Sequence, residues 1–100
     1  MEDTKIWDFP KSITFEEVSE YLESLKNIKP GEALTLDLSK TVSIHSSFIG
    51  FLIHAKHYMS KNNGRLILLV SMTVEKILIM LNIIDYFSPE IASNMGRKTA

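Results

Sequence analysis

The chain has 100 residues, 45% of them apolar and 23% charged, which is the balance of one folded domain rather than of a disordered chain. Its net charge of −1 supplies no drive toward nucleic acid or an anionic membrane, and the absence of cysteine excludes disulfides, thiolate chemistry and cysteine-bound zinc. The acidic start Met1-Glu2-Asp3-Thr4 leads into no secretory signal, and no apolar run approaches the roughly 20 residues that span a bilayer, so a cytoplasmic protein with no direct membrane insertion is expected.

Lys5 to Phe9 reads as a short strand ended by Pro10, with Trp7 as its anchor at a sheet edge. Thr14 and Glu17 then form a T-x-x-E capping box, flanked by Ile13 and Val18 at the staple positions. Phe15, Val18, Leu22 and Leu25 recur at helical spacing, which predicts a helix over 15–25 that buries this stripe and turns Glu16, Glu20 and Glu23 to water. Pro30-Gly31 is a turn.

Ala33 to Leu38 alternates Leu34, Leu36 and Leu38 on one face with Thr35 and Asp37 on the other, as a strand does. Leu66 to Val70 is an unbroken apolar run introduced by Asn62-Asn63-Gly64, the pattern of a strand covered on both faces. A helix-length segment, 47–62, lies between these strands, so they are expected to be parallel. A last helix is predicted over 74–81, capped by Thr73, burying Val74, Ile77, Leu78 and Leu81, and stopped by Asn82 in a left-handed conformation. Residues 33–87 thus form a strand–helix–strand–helix unit within a single domain over 1–100 whose core is 5–87. Residues 88–100 carry little pattern and are expected to be a short helix or a loose tail.

The middle helix has the most to say about function. On a helical wheel its apolar arc, with Ile49, Ile53, Leu52, Met59, Phe48 and Ala55 along it and Phe51 and Tyr58 at one side, is too wide for one sheet face to cover. Either the first helix or the tail covers the excess, or Phe51 and Tyr58, together with Phe48, stay partly exposed beside Ser47 and Gly50. Ser46 is the natural N-cap. Capping alone accounts for both serines. The alternative is that Ser47 is exposed and modifiable, because a helix N-terminus tolerates the roughly −1.5 to −2 charges of a phosphate.

An enzyme is the competing class. Adjacent residues such as His45 and Ser47 rarely bring imidazole and hydroxyl into hydrogen-bond reach, and no G-x-S-x-G elbow is present, so no catalytic residue is assigned. His54 and His57 share the spacing of a metal-binding pair but have no acidic third ligand nearby in sequence, so no metal and no cofactor are expected. The four glycines are too sparse for a phosphate cradle, and Arg97-Lys98 is too small a basic cluster for nucleic acid. Asp37, at a strand end near the helix start, is a candidate hydrogen-bond partner of the Ser46–Ser47 turn.

The run Leu34-Thr-Leu-Asp-Leu-Ser-Lys-Thr-Val-Ser-Ile-His-Ser-Ser-Phe-Ile-Gly-Phe-Leu52 resembles the STAS domain of bacterial anti-sigma factor antagonists. The likeness continues through Asn63-Gly64-Arg65-Leu66 to Val70 and ends on Ile77-Leu78-Ile79-Met80-Leu81-Asn82-Ile83-Ile84-Asp85-Tyr86-Phe87. The family pattern is a strand ending in D-L-S, then D-S-[SA]-G-[LI]-G-x-L opening a helix, then a glycine turn and strand, and a helix closing on L-x-x-L-G-[LI]-D-x-x-F. His45, Phe48 and Asn82 stand where that pattern has an aspartate and two glycines. The resemblance implies an α/β fold with a small mixed sheet of about four strands and about four helices. It implies a transcription regulator that acts by docking a protein partner, a serine-kinase-like anti-sigma factor, through the start of its second helix. Phosphorylation of a serine there switches docking off and a phosphatase restores it. Carried across, the phosphoacceptor is Ser47, and the docking residues are His45, Ser46, Ser47, Phe48, Gly50, Phe51, His54 and Tyr58. The alternatives within the same fold are a non-phosphorylated scaffold and an accessory subunit of a lipid or anion transporter. The family usually has two strands before its first helix, so the sheet is expected to be one strand smaller, with an edge that a partner or a second copy could complete.

Overall fold

The computed structural model describes residues 4–92. Three strands, β1 (Thr4–Asp8), β3 (Ala33–Leu38) and β5 (Arg65–Val70), form a parallel sheet in the order β1-β3-β5. Two-residue strands β2 (Ser12–Ile13) and β4 (Ser43–Ile44) make a separate parallel pair. The helices are α1 (Phe15–Leu25), α2 (Ser46–Lys61), α3 (Met72–Met80) and α4 (Ile84–Phe87). The expected α/β class holds, with four helices. The strands divide between two sheets, however, and every described ladder is parallel.

The unit β3–α2–β5 joins its strands in parallel, as a single crossover helix requires. Alternation along the strands sends Leu34, Leu36, Leu38, Leu66, Leu68 and Val70 to one buried face. On the other face Ile6, Thr35 and Ile67 lie in one row, and Ile6 on the edge strand β1 is exposed. Trp7 shares the row of Leu36 and Leu68 and stacks on Phe51 of α2, which places that helix over the buried face.

Pro10 ends β1, and the chain then enters β2 beside β4. That small pair governs how the next two helices start. Ile13 pairs with Ile44, and the residue after each is a helix cap, Thr14 for α1 and His45 for α2. The backbone N–H of His45 donates to the Ile13 carbonyl at 3.0 Å. The N-termini of α1 and α2 therefore lie side by side.

In α1 the Thr14 N–H donates to Glu17 Oε1 at 3.0 Å, as expected of the capping box. The staple residues Ile13 and Val18 are both buried. The expected stripe is only partly used. Val18 and Leu25 are buried, but Leu22 is half-buried and Phe15 is 62% exposed. Phe15 is the first helical residue, and a helical Cα–Cβ bond tilts toward the N-terminus, so its ring projects past the end of the helix.

The last long helix starts two residues earlier than expected. Ser71, not Thr73, caps it by accepting from the Val74 N–H at 3.0 Å, and the same hydroxyl donates to the Thr41 carbonyl at 2.6 Å. Val74 and Leu78 are buried and Ile77 half-buried, whereas Leu81 is half-exposed at the C-cap rather than in the stripe. Asn82 takes the expected left-handed conformation with φ 62°. Ile83 N–H then reaches the Leu78 carbonyl and Asn82 N–H the Ile79 carbonyl, both at 2.9 Å, which completes a Schellman stop. A short helix, α4, precedes the segment 88–100, and the described residues 88–92 of that segment hold no helix. Glu90 to Ala92 run along the edge of β5, paired with Leu68. The rest of the expected tail, with Arg97-Lys98, lies outside the described residues. Among the described residues no helix is long and apolar enough to cross a membrane.

Candidate functional site

The start of α2 is held by its own histidine. His45 is extended (φ −74°, ψ 148°), and its Nδ1 accepts from the Ser47 backbone N–H at 3.0 Å. Ser46, expected as the cap, is the first helical residue and is exposed. The physical reason is reach: an imidazole Nδ1 stands at nearly the same distance from its Cα as an aspartate oxygen, and serves the N–H two residues on that a capping carboxylate would serve. Accepting this bond requires Nδ1 to carry no proton. The ring also packs against Phe15, with centroids 5.4 Å apart.

Ser47 Oγ lies 2.9 Å from the same Nδ1. The expectation that neighbouring residues hold imidazole and hydroxyl out of reach is thus overturned, because both sit in one cap turn. Nδ1 has a single lone pair, already facing the Ser47 N–H, and an activated nucleophile needs a third group to orient its base. Asp37 does not supply it. Its Oδ1 accepts from the Ser39 hydroxyl at 2.6 Å and the Ser39 N–H at 3.0 Å, closing its own turn instead of meeting the Ser46–Ser47 turn. Those bonds, from the hydroxyl first and then the backbone, with Lys40 nearby, hold the Asp37 carboxyl below its usual range.

Beside this helix start runs an open groove of about 880 Å³ between α1 and α2. Its apolar lining is Phe15, Val18, Leu22 and Phe51. Ser47, Gly50 and His54 form the α2 wall, and Glu16, Ser19, Glu23 and Lys26 the α1 wall. Lys26 is ion-paired with Glu23 at 3.3 Å, with both side chains well exposed.

The predicted docking residues divide around this groove. Ser47 is half-buried on its wall, Gly50 and His54 are exposed along it, and His45 stands at its mouth against Phe15. Phe51 contributes only to the lining: it is 1% exposed, not partly exposed as the wide arc suggested. Phe48 has no exposed surface at all and is no contact residue. The arc is wide because Trp7, Phe9 and Tyr21 come from β1, the segment after it and α1 to pack against Phe48 and Phe51, Trp7 stacked and the others edge-on or tilted, with ring centroids 5.4–6.4 Å apart. The half-exposed apolar edge of α2 is instead Ile49 and Ile53. Tyr58 is half-buried and stacks on His54. His57 faces another way, its Nε2 2.9 Å from the Tyr86 hydroxyl, so it shares no site with His54.

The α1 wall was not foreseen. Its signal is Phe15, an aromatic at a first helical turn, where it cannot reach the core of its own helix. Gly50 is the most telling residue of the α2 wall. It sits in the fifth position of a helix, its φ is not positive, and a Cβ added there would meet nothing within 4 Å. Glycine in a helix interior costs about 0.8–1 kcal/mol relative to alanine. The fold gains nothing in return, in contrast to Gly64, where a Cβ would stand 2.6 Å from the Glu32 carbonyl oxygen.

No family model and no curated protein matches this chain.

Proposed function

We propose that this chain is a regulatory protein-binding module of the anti-sigma-antagonist type. It docks a kinase-like anti-sigma factor at the start of α2 and along the α1–α2 groove, with Ser47 as the candidate phosphoacceptor. In this reading it works in the bacterial cytoplasm, needs no cofactor and catalyses nothing. The observation that carries the reading is Gly50. A glycine that weakens its helix without relieving any contact leaves the α2 backbone bare beside Ser47 and an apolar trough. Bare backbone there is of use to something that approaches closely. The ordered motif residues quoted above supply the identity of that partner by resemblance.

A phosphate on Ser47 would add about −1.5 to −2 charges at the second helical position, where the backbone N–H groups and helix dipole favour it. The helix would survive, while the groove wall would gain a bulky, solvated dianion opposite Glu16 and Glu23. Docking of an apolar surface would be lost without unfolding. The test is incubation of the full chain with a kinase-like protein encoded beside it, followed by intact-mass measurement. One phosphate that disappears in Ser47→Ala is expected, and no transfer under conditions where the two proteins form a complex removes the switch. A second reading, a docking scaffold without phosphorylation, is favoured by one observation: the Ser47 hydroxyl lies against His45 Nδ1 rather than free. The same mass measurement separates the two. An accessory role beside a transporter differs in its partner, and co-purification from the native membrane tests it.

A further inference from the structure

The groove has a chemistry that narrows what it can hold. α1 carries four glutamates and no basic residue within its span. Glu17 is engaged in the capping box, and Glu16, Glu20 and Glu23 form an exposed acidic row along the solvent side. Only Lys26, at the far end, offsets it, through its pair with Glu23. Phe15 and Leu22 stand between that row and the middle of the groove, where the small residues Ser19, Ser47 and Gly50 leave room. An apolar trough with one acidic bank is complementary to a helix that has an apolar stripe and a cationic flank.

Shape agrees with charge. Ser19, Gly50 and His54 are all exposed, so the trough is open along its length and covers one side of a rod. The eleven residues of α1 give it a length of about 16 Å at 1.5 Å per residue, enough for about three turns of a docked helix.

We propose that the α1–α2 groove receives an amphipathic, lysine- or arginine-flanked helix of the partner protein. Its apolar anchors, at i, i+3 or i+4 and i+7, seat on Phe15, Leu22 and the edge of Phe51. Its cations lie against Glu16 and Glu23, which line the groove, and its backbone passes close to Gly50. This deepens the docking reading above and rests on it.

Trp7 stacks on Phe51 at 6.4 Å and so reports on the groove lining by fluorescence. The probes are two synthetic helical peptides about three turns long with the same leucine pattern, one with lysine on its polar face and one with glutamate. They are titrated against the full chain labelled for amide shift mapping. The lysine peptide is expected to perturb residues 15–26 and 47–54 and the Trp7 emission, and the glutamate peptide is expected not to bind. Affinity for the lysine peptide is expected to fall about tenfold or more in Glu16→Lys/Glu23→Lys and in Gly50→Trp, since a reversed rim and a filled trough each remove complementarity. A Cβ at position 50 meets nothing within 4 Å, and retention of the fold in Gly50→Trp is checked by an unchanged amide spectrum away from the groove. Equal binding of both peptides, absence of binding, or shifts centred on the exposed Met72, Ile79 and Met80 of α3 would overturn the proposal. Concentration-dependent self-association lost in Gly50→Trp would also overturn it, by making a second copy the occupant. Loss of the native complex in Gly50→Trp with no peptide binding would leave docking at this face standing and refute only the helix.

Discussion

Replacing Gly50 by alanine asks whether the glycine serves the fold. The new methyl meets nothing within 4 Å, and the backbone at Gly50 is outside the left-handed region. The expected change is therefore the helix-propensity difference alone, a gain of about 0.5–1 kcal/mol. For a domain of this size that is a rise in Tm of about 2–8 °C. Urea unfolding followed by circular dichroism should show a higher midpoint with an unchanged slope, because no additional surface is buried. Partner affinity should stay the same or fall slightly with alanine and be lost with tryptophan. The pair of results matters: greater stability together with poorer docking as the side chain grows is the signature of a residue kept for contact. If Gly50→Ala is neutral or destabilising, the glycine is serving the helix, and the argument that its bare backbone is a docking feature fails.

Gly64→Ala should do the opposite and cost about 1–3 kcal/mol, because its methyl would collide with the Glu32 carbonyl and Met59, and chemical denaturation of the two alanine variants side by side reads the contrast. His45→Ala should lose about 1 kcal/mol with the cap, whereas His45→Asp should keep the bond to the Ser47 N–H and gain about 0.3–1 kcal/mol from the helix dipole, and a less stable aspartate variant would refute the capping role. The lowered Asp37 pKa means that the unfolded chain takes up that proton more readily, so its stabilisation is present above about pH 4 and is lost as pH falls through the lower folded value. Asp37→Asn should therefore flatten the acid limb of a stability–pH curve, and an unchanged limb would show that the Ser39 turn does not hold in solution. Ser47→Glu should leave the stability within about 0.5 kcal/mol of its starting value and weaken partner binding, and intact binding would remove Ser47 from the contact surface.

Local chemistry was legible where one segment decides its own shape. The Thr14–Glu17 box, the parallel β3–α2–β5 unit and the left-handed Asn82 follow from residues close together in sequence. What failed was anything a distant segment decides. The wheel of α2 gave the width of its apolar arc, but only the aromatic rings brought by Trp7, Phe9 and Tyr21 determine that Phe48 and Phe51 are inside. Ser46 looked like the cap because serine is favoured there, and His45 took the position because the β2–β4 pair stops one residue earlier. That pair is two residues long on each side, too short for any periodic signal. The groove is not legible in the sequence for the same reason: its walls come from two helices, and the α1 wall belongs to a segment that reads as an ordinary amphipathic helix.

The β2–β4 pair has a mechanical consequence. It sits at one end of the groove, and both walls spring from it through single residues, Thr14 and His45. Near Phe15 and Ser47 the spacing of the two walls is set by backbone hydrogen bonds, among them the His45 N–H to the Ile13 carbonyl at 3.0 Å. Beyond Lys26 the main chain ties them again, the Gly31 N–H donating to the carbonyl of Asn62, the C-cap of α2, at 3.0 Å. The groove is thus braced by backbone at its start and past its far end, and a docking helix of the kind proposed would have to fit a trough whose width is already set.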